Sequence, residues 1–228
     1  ALIAVTFGKY METGDASWPL LFPMTKSAIR TMDAIQEWSK GKIKRFVVAG
    51  ASKRGWTTWL VGAIRDKRVI GIAPMVFDML KFKEQLAHQK EVIGDYAPAI
   101  RDYTESGLVD VLEMPRGKSL MKMVDPASYL SSIKIPVLVI LGSNDEFWAT
   151  DAHNLYWNDI RGPKLMRIVP NAGHNLNGGR EAAKSLAYFA RAIVGNIPGG
   201  LPLANASRNR VGSETWWAES SNRNFRES

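Results

Sequence analysis

Three residues of the kinds that cooperate in acyl transfer lie far apart in this chain: Ser52, Asp145 and His174. Ser52 stands in FVVAGASKRGWTTWL (46–60), just after an apolar β-type run (Phe46, Val47, Val48) that stops at Gly50. Beyond Gly55, Trp56, Leu60 and Ala63 recur at helical spacing. A serine on so tight a strand-to-helix turn exposes its hydroxyl beside the amides of the next helical turn. The glycines suit a turn that needs unusual φ/ψ or a close backbone approach. The common nucleophile pattern is G-x-S-x-G, whereas here it reads G-x-S-x-x-G, with Arg54 where the second glycine would stand. Alone, the motif is weak and suits a turn serine without chemistry better.

Such a serine needs a base, and the base needs a group to orient it. His174, in PNAGHNLNGG, would take the Ser52 proton and later return it to the leaving group. Asp145 would hold the imidazole in the required tautomer and stabilise its charged form. It would also suit a helix cap, and Asp78, just past the preceding strand, is the competing acid. Lys53 is either a plain exposed lysine or an ammonium that assists the oxyanion alongside backbone N–H groups. The other histidines, His88 and His153, fall on helical stretches where a surface position is expected. Trp56, Phe147 and Trp148 suit either a buried core or an apolar substrate pocket. No HExxH or Asp-rich motif offers metal ligands, and GASKRG has Lys and Ser in the wrong order for a P-loop. No metal and no cofactor are therefore expected.

The surrounding elements must place these groups. Ile3, Phe7, Tyr10 and Met11 predict a helix over 2–13, stopped at Gly14. The two prolines of WPLLFPM predict an extended linker over 18–24. Thr25 or Ser27 then caps a helix to about residue 39, with Ala28, Met32 and Ile35 inward. Strands are predicted over 43–49, 69–76, 135–141 and 164–169. Helices are predicted over 55–66, over 151–160, and after the PNAGHNLNGG loop, where Ala182, Leu186, Phe189 and Ile193 form one stripe. The runs at 69–76 and 135–141 are nearly all apolar, as in strands covered on both faces of a parallel sheet. Residues 79–127 show no strand; helical stretches at 81–92, 99–106 and around 121–123 predict an insert roofing the site. Alternating strands and helices imply an α/β fold with a mostly parallel sheet, whose functional groups gather at strand carboxyl ends. Ser52, Asp145 and His174 each follow such an end, in the chain order of α/β-hydrolases. The expected organisation is a core over 1–195 and a Gly-, Pro-, Asn- and Ser-rich linker or tail over 196–228. There Trp216 and Trp217 could add an edge strand.

Composition narrows the classes further. A chain of 228 residues, 46% apolar and 23% charged, can bury one substantial core or two small ones. With no cysteine, disulfides, thiolate metal sites and a Cys nucleophile are excluded. Apart from Lys40–Arg45 and the arginines of the last twenty residues, the basic residues behind the net charge of +8 are scattered, without interleaved aromatics on one face, which argues against a nucleic-acid partner. No run is long and apolar enough for a membrane span. The start lacks the charged n-region and cleavage site of a signal peptide.

Together WPLLFPMTKSAIRTMDAIQEW, FVVAGASKRGWTTWL, VIGIAPMVFDML, APAIRDY, GSNDEFW and PNAGHNL resemble the PhoPQ-activated pathogenicity-related proteins. That α/β-hydrolase group also includes eukaryotic secreted proliferation-repressor proteins. The match covers most of residues 1–194. It implies Ser52, Asp145 and His174 as the triad of a serine hydrolase, and an extracytoplasmic location. The nucleophile arrangement is also similar to glucuronoyl esterases, where a basic residue after the serine supports the oxyanion, the place of Lys53 here. Some of those take their acid from the earlier strand end, which is where Asp78 lies. WWAESSNRNFRES looks like a fragment of the family's strand-rich C-terminal region. Family members are much longer, and several strands normally precede the nucleophile, whereas none is evident before residue 43. The open sheet edge this leaves calls for a missing N-terminal segment or a homodimer to cover it. The expected reaction is hydrolysis of a small-molecule ester or acylated substrate through an acyl-enzyme. Peptide or amide hydrolysis by the same triad, and a non-catalytic signalling or binding role, are the alternatives.

Overall fold

Four apolar stretches form one parallel sheet. β1 (Phe46–Ala51), β2 (Val69–Met75), β3 (Val137–Gly142) and β4 (Lys164–Val169) are hydrogen-bonded in chain order, each to its sequence neighbour. The computed structural model describes residues 2–195, so the expected edge strand around Trp216 and Trp217 lies outside the described residues. Side chains alternate across the sheet with the period of two that strands impose. Ile72, Val137, Val139 and Leu141 enter a larger core on one face, while Ala73, Leu138 and Ile140 enter a smaller core on the other. β3 is buried along its whole length, whereas β1 has no fully buried residue. Among the described residues no strand precedes β1, which is therefore a sheet edge.

Helices cover both faces. α1 (Leu2–Thr13), α2 (Leu21–Trp38) and α3 (Lys53–Ile64) contribute to the larger core, and α7 (Arg180–Ile193) closes the smaller one through Ala182 and Phe189. α1 buries Ile3, Phe7 and Tyr10, the spacing read from the sequence. It stops at Gly14, whose φ of +75° lets its N–H reach back to the Tyr10 carbonyl at 2.7 Å.

Two expectations fail at the prolines and one near Tyr156. No extended linker spans 18–24, because α2 already begins at Leu21 with Pro23 in its first turn, where the missing N–H breaks no intrahelical bond. Thr25 and Ser27 cap nothing. Their hydroxyls donate back to the carbonyls of Leu21 and Pro23, at 2.7 and 2.8 Å. The expected helix over 151–160 is a pair of 3₁₀ turns, Ala152–Leu155 and Trp157–Asp159. Tyr156 leaves helical geometry between them (φ −128°) and buries its ring, its hydroxyl donating to Asp78.

Between β2 and β3 run α4 (Phe82–Ile93), α5 (Arg101–Thr104) and α6 (Pro115–Val124), joined by 3₁₀ turns. Asp125 ties the end of this segment to its beginning. Its carboxylate accepts the N–H groups of Lys81, Phe82 and Ala127 at 3.2, 3.0 and 2.8 Å, so α4 is capped from 43 residues away.

α3 presses on the sheet at Gly55. A Cβ there would stand 2.6 Å from the Met75 carbonyl oxygen, a backbone atom that cannot swing aside. Gly55→Ala is expected to lower unfolding stability by about 1–3 kcal/mol. Gly8→Ala, in α1 with nothing within 4 Å of the added methyl, is expected to raise it by about 0.5–1 kcal/mol. Urea unfolding midpoints should therefore move in opposite directions for these two variants.

Candidate active site

Ser52 is the one residue between β1 and α3, and its backbone is strained. Its φ of 57° and ψ of −124° lie in a region that residues with a Cβ rarely enter. Three contacts hold it there. The Ser52 N–H donates to the Met75 carbonyl at 2.9 Å, and its own carbonyl accepts from Trp56 N–H at 3.0 Å. Gly50 completes the turn, since a Cβ there would come within 2.6 Å of the Arg54 carbonyl oxygen. The serine hydroxyl consequently points off the carboxyl edge of the sheet, above the first turn of α3. N–H groups in such a first turn have no acceptor inside the helix.

The hydroxyl meets an imidazole. His174 Nε2 lies 2.8 Å from Ser52 Oγ, and His174 Nδ1 lies 3.0 Å from each carboxylate oxygen of Asp145. Asp145 is buried, and its Oδ1 also accepts Phe147 N–H at 2.9 Å, the cap-like role open to it from sequence. The Phe147 ring lies on the imidazole with centroids 4.1 Å apart. The loops after β3 and β4 are stitched together beneath these groups. Ser143 N–H donates to the Val169 carbonyl, Asn144 N–H to the Ala172 carbonyl, and Asn171 N–H to Ser143 Oγ. Gly142 permits the approach, because a Cβ there would stand 2.2 Å from the Ala172 oxygen. Glu146 Oε2 accepts His174 N–H at 3.1 Å. Sequence reading singled out neither Ser143 nor Glu146; the glycine after a buried strand was the available signal.

Asp78 is not against the imidazole. It is fully buried, accepts from the Tyr156 hydroxyl, and lines a small void with Asp145. Burial pushes its carboxyl up to about 7, with the charges of Asp145 and Asp151 adding to the rise against the opposing Tyr156 and His153 hydrogen bonds. His88 and His153 are half-buried, contrary to expectation. His88 Nε2 lies 2.8 Å from Asp151 Oδ1, while Nδ1 of His153 is buried without a hydrogen bond and burial lowers its pKa. Among the described residues no group of His, Asp and Glu is placed to hold a metal ion.

A cavity of about 150 Å³ opens beside Ser52. Lys53, exposed, stands at its wall together with Trp56, Phe147 and Trp148. Trp56 is both core and lining: it is buried, stacks on Phe77 at 4.9 Å and donates its indole N–H to the Val124 carbonyl at 2.6 Å. The rest of the lining comes from Phe7 of α1 and from the segment between β2 and β3. Burial raises the Tyr103 phenol above its ordinary range, so it stays protonated and hydrogen-bond competent.

Comparison with known proteins gives the family and the fold. The family model of the PhoPQ-activated pathogenicity-related proteins matches residues 1–210. The chain belongs to that family. A curated relative, autocrine proliferation repressor protein A of Dictyostelium discoideum, is 38% identical over 204 residues. That match takes in 86% of this chain and 41% of the relative, so the chain spans about two fifths of that protein's length. Among solved structures, an acetyl xylan esterase from Paenibacillus sp. R4 superposes with a TM-score of 0.57 at 17% identity, covering 72% of this chain and 51% of that one. A puromycin-hydrolysing peptidase of Mycobacterium tuberculosis gives 0.55 at 16% identity, over 77% and 26%. At such identities the likeness establishes the fold, that of the α/β-hydrolases. Among the described residues no helix is long and apolar enough to cross a membrane.

Asp78 makes folding stability pH-dependent with a definite sign. In the unfolded chain an aspartate loses its proton near pH 4, whereas folded Asp78 keeps it up to about pH 7. The folded state binds the extra proton between these values, so this contribution is fully present at low pH and lost as pH rises through about 7. Asp78→Asn keeps an acceptor for Tyr156 and removes the titration. The Tm of the variant minus that of the wild type is expected to become more positive between pH 5 and pH 8.5. A difference that stays constant over that range would show an ordinary carboxyl.

Proposed function

We propose that this chain is a serine hydrolase that cleaves carboxylic esters through an acyl-enzyme. The observation that carries the reading is the unbroken line from Ser52 Oγ to His174 Nε2 at 2.8 Å and from His174 Nδ1 to Asp145 at 3.0 Å. In the first half-reaction Ser52 Oγ attacks the ester carbonyl carbon while its proton passes to His174 Nε2. The bond to the leaving oxygen then breaks and that oxygen takes the proton. A water molecule, deprotonated by the same nitrogen, attacks the acyl-enzyme, frees the carboxylic acid and restores the serine. Asp145 accepts Nδ1–H, which keeps Nε2 open as the base and stabilises the imidazolium between the two proton transfers. Backbone N–H groups of the α3 first turn, helped by the Lys53 ammonium, would carry the developing oxyanion.

A second reading rests on the Dictyostelium relative, whose name describes an autocrine repressor of proliferation. On that reading the scaffold acts extracytoplasmically as a signal or binding protein and Ser52 is idle. Fluorophosphonate labelling separates the two, because modification of Ser52 needs an activated hydroxyl. An unlabelled, folded protein would favour the signalling role.

Against p-nitrophenyl esters, Ser52→Ala is expected to lower kcat by at least about 10⁴-fold, and Asp145→Asn by on the order of 10²–10⁴-fold. Lys53→Met should cost only about tenfold, below the 10²–10³ of a preorganised oxyanion donor, because its charge is solvated. A larger loss in Asp78→Asn than in Asp145→Asn would reassign the acid. Faster turnover of aminoacyl anilides than of esters would make the chain an amidase.

A further inference from the structure

We infer that the cavity beside Ser52 is an acyl pocket sized for about six carbons, so the substrates are esters of medium-chain or small aromatic acids rather than acetyl esters or long-chain lipids. This rests on the serine hydrolase reading. The side of the scissile bond follows from the proton path. The leaving oxygen must receive its proton from His174 Nε2, so the alcohol part lies toward the imidazole. The cavity is lined by Ser52 and Lys53 but not by His174, which leaves it for the acyl part.

Its chemistry is equally one-sided. Apart from Ser52, Lys53, Asp102 and the Tyr103 phenol, every lining side chain is apolar. Such a wall offers few partners to a sugar acid or a peptide backbone, most of whose polar groups would lose water without compensation. Size sets the length. The volume is about 150 Å³, and a dry apolar protein cavity of about 150 Å³ takes up benzene, a six-carbon guest. An acetyl group would leave most of this space empty, and a palmitoyl chain would overrun it.

The test is a chain-length series of p-nitrophenyl acetate, butyrate, hexanoate, octanoate, decanoate and palmitate, using the full chain. Each buried methylene is worth about fourfold in kcat/KM, so hexanoate should exceed acetate by on the order of 10²-fold. A maximum anywhere from butyrate to octanoate supports the pocket. A flat profile, or a maximum at acetate, decanoate or palmitate, overturns it. The isomers ethyl hexanoate and hexyl acetate test the side: preference for ethyl hexanoate supports an acyl pocket, and equal rates or the reverse preference sink it. Val109→Phe and Met121→Phe, two half-buried lining positions, should each lower the hexanoate-to-acetate ratio by at least about tenfold. An unchanged ratio in variants that still label with fluorophosphonate would show that the chain lies elsewhere. Labelling of wild-type Ser52 with any overturning profile refutes the pocket alone. No labelling together with no ester turnover takes the hydrolase reading down with it.

Discussion

The structure depends on one strained residue. Ser52 sits at φ 57°, ψ −124°, a conformation that costs a residue with a Cβ on the order of 1–3 kcal/mol. The strain is offset locally. Both backbone groups of Ser52 are hydrogen-bonded, one across to β2 and one forward into α3, and Gly50 and Gly55 let the turn press against its neighbours. Relaxing the residue would break two bonds and drive α3 off the sheet. Because α3 packs on β1, β2 and α2 at once, the turn is over-determined by the same burial that makes the core. The hydroxyl is thereby aimed before any ligand arrives, which is the condition for a fast proton transfer.

Sheet geometry then dictates where the other two groups must stand. Adjacent strands lie about 4.8 Å apart, so β4 is roughly 14 Å from β1 at the strand ends. A group on the β4 loop can reach Ser52 only by crossing the tops of β3 and β2. His174 does so from five residues past the end of β4 at Val169, and Asp145 lies three residues past the end of β3 at Gly142, between the two. The crossing is supported by the Ser143, Asn144 and Gly142 contacts that lock the two loops into one layer. Phe147 then covers the imidazole.

The same geometry explains what could be read in advance and what could not. β2, β3 and the α1 and α7 stripes were legible because a short apolar run and period 3.6 are local signals, and the glycine-flanked serine announced its turn. The start of α2 was missed because Pro23 was read as a breaker, although a first-turn proline costs no bond. The 3₁₀ turns at 152–159 were missed because Tyr156 is drawn inward by a partner 78 residues away. The choice of acid was open in the sequence for a precise structural reason. Asp78 stands three residues past the end of β2 at Met75, as Asp145 does past β3, so spacing treats them alike. Only tertiary partners distinguish them, an imidazole for one and a phenol for the other. The loop-stitching Ser143 and the remote cap Asp125 were equally invisible, since each acts across more than twenty residues.

That division of partners has an electrostatic logic. Two carboxyls buried around one small void cannot both ionise cheaply, and the neighbour of a charged one is pushed to hold its proton. Asp145 faces the group that becomes cationic when Ser52 loses its proton, so a negative charge there is matched in the proposed reaction. Asp78 faces a neutral hydroxyl, which bonds a carboxyl without cancelling its charge, and burial leads the rise of its pKa with Asp145's charge adding to it. A protonated Asp78 adds no second buried charge beside Asp145, so of the two buried carboxyls only Asp145 pulls on Nδ1–H. The apolar side chains around Ser52 sharpen this further, because in a poorly solvated site each charge is felt by its neighbours more strongly than in water. Burial of the second carboxyl, which looks like waste in a stability account, thus helps fix where the proton of the first proposed step must go.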